Sequence, residues 1–131
     1  MELRGSILIA QPDRGERERL TRVLGGEGYL PFETASRREA VSLARDVGVD
    51  LALVDAYFPD GPGLDACEWL RGLGRGVRVI VVTSDPSREL RREALSVGAY
   101  AVVPKPVRPR IVLATVEAAL SGRSQSSSWW S

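Results

Sequence analysis

Three chemically capable side chains stand at the ends of apolar runs. Asp55 follows Leu51-Ala52-Leu53-Val54, Thr83 follows Ile80-Val81-Val82, and Lys105 follows Val102-Val103 across Pro104. Brought into one pocket, they supply a carboxylate nucleophile, a hydroxyl donor and a cationic clamp for a phosphoryl oxygen. The same residues also suit a structural role, an Asp55–Lys105 ion pair capped by Thr83, and geometry alone leaves both readings open. Lys105 is the only lysine among 18 basic residues. Either the arginine bias is genomic, or this lysine does work that the broad guanidinium fork cannot.

Short strands and helices must position these groups. Ser6-Ile7-Leu8-Ile9-Ala10 is a nearly continuous apolar run, as in a strand buried on both faces, and Gln11-Pro12-Asp13 ends it. A helix over about 15–27 carries Leu20, Val23 and Leu24 on one stripe, with Gly28 as its C-cap. Residues 29–33 form a second strand, moved toward an edge by Pro31. Ser36 and Glu39 form a capping box for a helix burying Ala40, Val41, Leu43, Ala44 and Val47 and stopping at Gly48. A third strand covers 50–55, and a Gly- and Pro-rich turn at 59–63 leads into a helix over 64–70. A fourth strand covers 77–82. Asp85 as N-cap, with Pro86 at the first helical position, opens a helix that runs to Val97 and stops at Gly98. Ala101-Val102-Val103 is the fifth strand, and 109–120 the last helix, with Ile111, Val112, Thr115, Val116 and Ala119 inward. This alternation predicts an α/β fold, a doubly wound five-stranded parallel sheet with five helices. Right-handed crossovers put its crevice at the carboxyl ends of the strands.

Composition narrows the classes. A chain of 131 residues that is 44% hydrophobic fits one domain, expected over 1–120. Residues 121–131 are polar and serine-rich, read as a disordered tail or the start of a linker. Trp129-Trp130 within them is either a docking anchor or a chance of composition. A net charge of +1 gives little reason to expect a nucleic-acid or membrane surface. One cysteine precludes an internal disulfide, and the lack of histidine removes the commonest metal ligand and general base. No signal-peptide pattern follows Met1, and apolar runs fall far short of the ~20 residues of a membrane span, so a cytoplasmic location is expected. Cys67 reads as buried filler, and Arg37-Arg38 and Arg91-Arg92 as solvated helix faces. Neither GxGxxG nor GxxxxGK[ST] is present, which argues against a nucleotide-binding enzyme of similar topology.

Five pieces together carry a resemblance: ILIA before the first turn, EGY entering the second strand, LALVDAYFPDGPGL, VIVVTS, and VGAYAVVPKP. In the third, Pro59 stands four residues beyond Asp55 and Gly63 eight beyond. Over about residues 5–120 the chain resembles the receiver domain of bacterial two-component response regulators. The resemblance implies a flavodoxin-like, CheY-like sheet of strand order 2-1-3-4-5. It implies that Asp55 accepts a phosphoryl group from a histidine kinase, that Thr83 swings toward that group on activation, and that Lys105 pairs with Asp55 and the phosphoryl oxygens. Pro106 follows Lys105 as in the family. The resemblance also implies that the face made by the fourth helix, fifth strand and fifth helix is the one that changes partners, with a homodimer through it as an option.

Three positions depart from the pattern, two at the end of the first strand and one in the fifth. Receivers end the first strand with two adjacent carboxylates that hold Mg²⁺ together with the phosphoacceptor; here Gln11 and Pro12 stand in those places. Glutamine offers one neutral oxygen and proline none, whereas Mg²⁺ wants charged oxygens in a near-octahedral array. Asp13, one residue further, is the remaining acid that could join Asp55 after a backbone shift. Val102 stands where an aromatic switch residue is common, and Tyr100, two residues earlier and on the same face by strand parity, does not fill that place. Tyr57-Phe58 read as packing or partner contacts. Two functions follow. The first is an atypical, pseudo-receiver module signalling by protein–protein contact with weak or no Mg²⁺-dependent phosphorylation. The second is a genuine phosphoacceptor with non-standard metal binding through Asp13. A histidine kinase or another signalling protein is the expected partner, and direct DNA binding by these residues is not expected.

Overall fold

Alternating apolar side chains along each strand build two cores, one on either face of a sheet. The computed structural model describes residues 3–85 and 87–122. Its strands are β1 (Ser6–Ala10), β2 (Leu30–Thr34), β3 (Leu51–Asp55), β4 (Arg78–Thr83) and β5 (Ala101–Pro104). The helices are α1 (Arg14–Gly26), α2 (Arg37–Val47), α3 (Gly63–Gly72), α4 (Arg88–Ser96) and α5 (Pro109–Leu120). The strands pair in parallel in the order β2-β1-β3-β4-β5, with the Pro31-bearing strand at an edge as expected.

Leu8, Ala10, Ala52, Val54, Val79, Val81 and Val102 face α2, α3 and α4, which contribute Ala40, Ala44, Cys67, Leu70, Leu90 and Ala94. The intervening residues Ile7, Ile9, Leu51, Leu53, Ile80, Val82 and Val103 face α1 and α5, with Leu20, Leu24, Val112 and Val116. Every residue of β3 is buried. The strand whose end carries Asp55 is therefore fixed from both sides, and that rigidity sets the position of the carboxylate.

Helix ends are closed by local hydrogen bonds. Asp13 accepts from the Glu16 amide to cap α1. At the other end the Gly28 amide donates to the Gly25 carbonyl and the Tyr29 amide to Leu24, with Gly28 at φ +93°, the paired bonds that end a helix on a left-handed residue. Ser36 caps α2 through the Glu39 amide, and Gly48 stops it at φ +69°. Three expectations are corrected. The cap of α4 is Ser87, which accepts from the Leu90 amide; Asp85 lies before the helix, and Pro86 lies outside the described residues. Val47 is 44% exposed, at the last residue of α2, where the helix ends at Gly48. Between β3 and α3 the expected Gly- and Pro-rich turn is the tip of a two-residue antiparallel ribbon, Tyr57–Phe58 against Gly61–Pro62, so that residues 61–62 are paired and not simply turn. Trp129 and Trp130 lie outside the described residues.

Candidate functional site

Register brings the chemical groups together. Ala10 pairs with Val54, so Gln11 and Asp55 leave adjoining strands side by side. Asp55 pairs with Val82, and Thr83 with Pro104. By the pleat alternation, Gln11 and Asp55 continue the face that looks toward α1 and α5, while Thr83 continues the opposite one.

Asp55 is 4% exposed. Its Oδ2 receives the Lys105 ammonium in an ion pair, and its Oδ1 accepts from the Tyr57 backbone N–H at 3.0 Å. A buried carboxylate needs such partners, because an unpaired charge in the interior is costly. Backbone bonds hold the frame: the Ala56 amide donates to the Val82 carbonyl at 3.0 Å and the Lys105 amide to the Thr83 carbonyl at 2.8 Å. The peptide bond between Lys105 and Pro106 is cis. Pro106 itself is exposed and lines a pocket of about 270 Å³ with Val103, Pro104, Arg108 and Ile111.

Gly63 opens α3 directly beneath the phosphoacceptor-like aspartate. A Cβ there would lie 1.8 Å from the Asp55 carbonyl oxygen, and the Gly63 amide donates to the Ala56 carbonyl at 2.8 Å. Close approach to backbone is the reason this position admits only glycine.

Thr83 sits at the neighbouring strand end, 2% exposed, with its hydroxyl oxygen accepting from the Asp85 amide at 2.9 Å. It makes no hydrogen bond to Asp55. Asp85 in turn accepts from the Ser87 amide at 3.0 Å and from the Tyr57 phenol at 3.2 Å. The Ser87 amide is the main reason the Asp85 carboxyl lies below its usual range. Partial desolvation, with the Asp85 carboxylate second, pushes the Tyr57 phenol up. This Tyr57–Asp85 link across the mouth of the site joins residues 28 apart in sequence, and no sequence signal announces it.

The metal end of the site is different. Gln11 is fully buried, and among the described residues neither its Oε1 nor its Nε2 has a hydrogen-bond partner. Its backbone carbonyl accepts from the Arg17 guanidinium at 2.7 Å. Pro12 brings no side-chain oxygen. Asp13 is exposed, and its Oδ2 is engaged 2.8 Å from the Glu16 amide. Among the described residues no group of three or more His, Cys, Asp or Glu side chains is placed to hold a metal ion. A lone carboxylate already paired with an ammonium, beside a neutral amide, does not fit the oxygen-rich array that Mg²⁺ requires.

Other expectations meet mixed outcomes. Val102 is 5% exposed in the core facing α2–α4, but Tyr100 packs against the opposite core. Strand parity fails there because Tyr100 precedes β5, outside the pleated backbone. Cys67 is buried as expected, and desolvation pushes its thiol up to about 12. Arg37 is not a solvated residue. Its side chain, 11% exposed, pairs with Asp60 and Asp65 and lies 5.1 Å from the centroid of the Trp69 ring, bracing α2 against the ribbon and α3. Glu117 pairs with Arg4 at 3.4 Å within the chain. Among the described residues no helix is long and apolar enough to cross a membrane.

Comparison with known proteins agrees with this geometry. The response regulator receiver domain family matches residues 7–117. Response regulator MprA of Mycolicibacterium vanbaalenii is 33% identical over 114 residues, 87% of this chain and 49% of that protein. DNA-binding response regulator MtrA of Mycobacterium leprae is 31% identical over 118 residues, 90% of this chain and 52% of that one. The chain thus spans about half the length of the curated relatives it matches. Among solved structures, a CheY-like response regulator receiver domain protein from Methanospirillum hungatei superposes with a TM-score of 0.84 at 31% identity, covering 88% of this chain and 93% of the other. A LuxR-family two-component response regulator from Aurantimonas superposes with a TM-score of 0.85 at 25% identity, covering 92% and 87%. The chain belongs to the response regulator receiver domain family.

Proposed function

We propose that this receiver domain transmits signals by protein–protein contact, with weak or no Mg²⁺-dependent phosphorylation of Asp55. The observation that carries this reading is the buried, unpartnered amide of Gln11 beside Pro12, where paired carboxylates would be needed. Without a metal, only Lys105 offsets the repulsion between Asp55 and an incoming phosphoryl dianion. The pocket is nevertheless comfortable without a cation, because its one carboxylate already meets one ammonium and one amide N–H.

The second reading, a working phosphoacceptor with metal held through Asp55 and Asp13, is favoured by the presence of Asp55, Thr83 and Lys105 together. It requires Asp13 to leave the α1 cap, which costs about 1 kcal/mol when such a residue is lost. Partners on either reading are a histidine kinase or another signalling protein. A homodimer through α4, β5 and α5 belongs to the same proposal. So do a cytoplasmic location, a domain limit near residue 120 and a linker or tail over 121–131. Any DNA recognition, as the name of the MtrA relative states for that protein, belongs to another domain.

The test is phosphorylation of the purified protein by a small-molecule phosphodonor, with and without Mg²⁺, read as intact mass beside Asp55→Asn. The expected result is no Mg²⁺-dependent gain. A Mg²⁺-dependent gain of one phosphoryl group, abolished by Asp55→Asn, overturns the proposal in favour of the second reading.

A further inference from the structure

At the end of the sheet opposite Asp55 lies an open groove of about 800 Å³. It lies where β4 and β5 begin and where α3, α4 and α5 end. Its walls include Val77, Ala99, Tyr100 and Leu95, the last 37% exposed. Two guanidinium groups, Arg71 and Arg78, line it, and no acidic residue does. Among the described residues neither arginine makes an ion pair or a side-chain hydrogen bond, so both guanidinium groups are available to a ligand in the groove. Arg71 is also held in place: its side chain lies across the Gly98 turn, so close that a Cβ on Gly98 would come within 2.4 Å of it.

We propose that this groove docks an acidic peptide segment of a partner protein that carries an apolar anchor residue. The argument is charge complementarity. Two unpaired cations facing an apolar trough fit carboxylates spaced along an extended chain, with the anchor against Leu95 and Tyr100. A compact polyanion such as a phosphate cluster fits less well, because it has no apolar group to cover Val77, Leu95 and Tyr100 and concentrates its charge where three helix C-termini oppose anions, an opposition the peptide offsets through its anchor. The inference rests on the reading that this receiver works by contact, and extends it. β4, from Arg78 to Thr83, separates the groove from the Asp55 pocket by roughly 17 Å of strand, so docking proceeds whatever happens at Asp55.

The test is a titration of ¹⁵N-labelled protein with a synthetic peptide in which four carboxylates surround one leucine, followed by amide chemical shifts. The same titration uses its Asn/Gln counterpart, inorganic tripolyphosphate, and the variants Arg71→Glu/Arg78→Glu and Asp55→Asn. Expected are shifts confined to Gly76, Gly98, Ala99, Tyr100 and their neighbours, weakened about tenfold by the double charge reversal and further by salt. Asp55→Asn should bind as the wild type does. The dispersed spectrum of each variant reports its fold. Equal binding of the neutral peptide, equal binding by the double variant, tighter binding of tripolyphosphate, or shifts elsewhere overturns the proposal. Loss of binding in Asp55→Asn alone overturns its independence from the Asp55 pocket. Because no arm involves phosphotransfer, failure of the groove and failure of the Asp55 reading are read separately.

Discussion

Replacing Gln11 by methionine should stabilise this protein. Gln11 is fully buried, and neither side-chain polar atom has a partner among the described residues. A buried neutral polar group left unmade costs about 1–3 kcal/mol. Methionine keeps an unbranched chain of similar length, removes both polar atoms and adapts to an irregular cavity. Against the gain stands imperfect refilling of the site, usually below about 1.5 kcal/mol for a volume-conserving change. The net expectation is a gain of about 1 kcal/mol, which for a domain of this size raises Tm by about 3–5 °C. Urea unfolding followed by circular dichroism reads it as a higher midpoint with an unchanged slope, so that the change lies in stability and not in the compactness of either state. A loss of about 1 kcal/mol or more would refute the reasoning. It would mean that the amide is satisfied by ordered water, and that Gln11 is a working polar element of the pocket.

Three further outcomes follow from the same geometry. Lys105→Met leaves Asp55 with only the Tyr57 amide, and breaking a buried pair costs about 3–5 kcal/mol. Because the Lys105 side chain is 23% exposed, screening lowers the expected loss to about 2 kcal/mol, most of it recovered in the Lys105→Met/Asp55→Asn double variant; urea unfolding of the two checks both. Gly63→Ala drives a Cβ to 1.8 Å from the Asp55 carbonyl oxygen, and should lower stability by about 3 kcal/mol or more, again read by unfolding. The Cys67 thiol is raised from an ordinary 9.0 to about 12 by burial. Its contribution to stability is therefore complete below pH 9.0 and is lost as pH rises toward 12, and iodoacetamide at mildly alkaline pH should alkylate it in urea and not in the native protein, as read by intact mass.

The sheet was legible because its strands are short apolar runs separated by helices with clear stripes, and because Pro31 marks an edge. The Asp55–Lys105 pair was legible for a related reason: each ends an apolar run, and parallel strands bring such ends together. What escaped depends on contacts between distant loops. Asp85 and Ser87 are both good capping residues two positions apart, and Pro86 between them made the earlier one look better placed. Structure gives the cap to Ser87 and leaves Asp85 free to meet Tyr57 and Thr83. Arg37 looked like half of an exposed basic pair, because nothing local reveals Asp60, Asp65 and Trp69 waiting on other elements. Tyr100 shows the limit of parity, which holds only while the backbone stays extended.

The departures at Gln11 and Pro12 and the state of Lys105 form one argument about charge. A receiver pocket with three carboxylates needs a divalent cation to balance it, and its lysine is then one cation of two. Here one carboxylate, one ammonium and one neutral amide share the strand ends, so the buried charge is already balanced. A metal arriving at Asp55 would compete with Lys105 for the same Oδ2, and Asp13 would have to leave the α1 cap to join in holding it. Stability of the pocket without a cation and affinity for the metal thus pull in opposite directions, which is the charge argument behind the proposed reading. The groove beyond the far ends of β4 and β5 lies outside that balance, so the docking proposed for it stands or falls independently of Asp55.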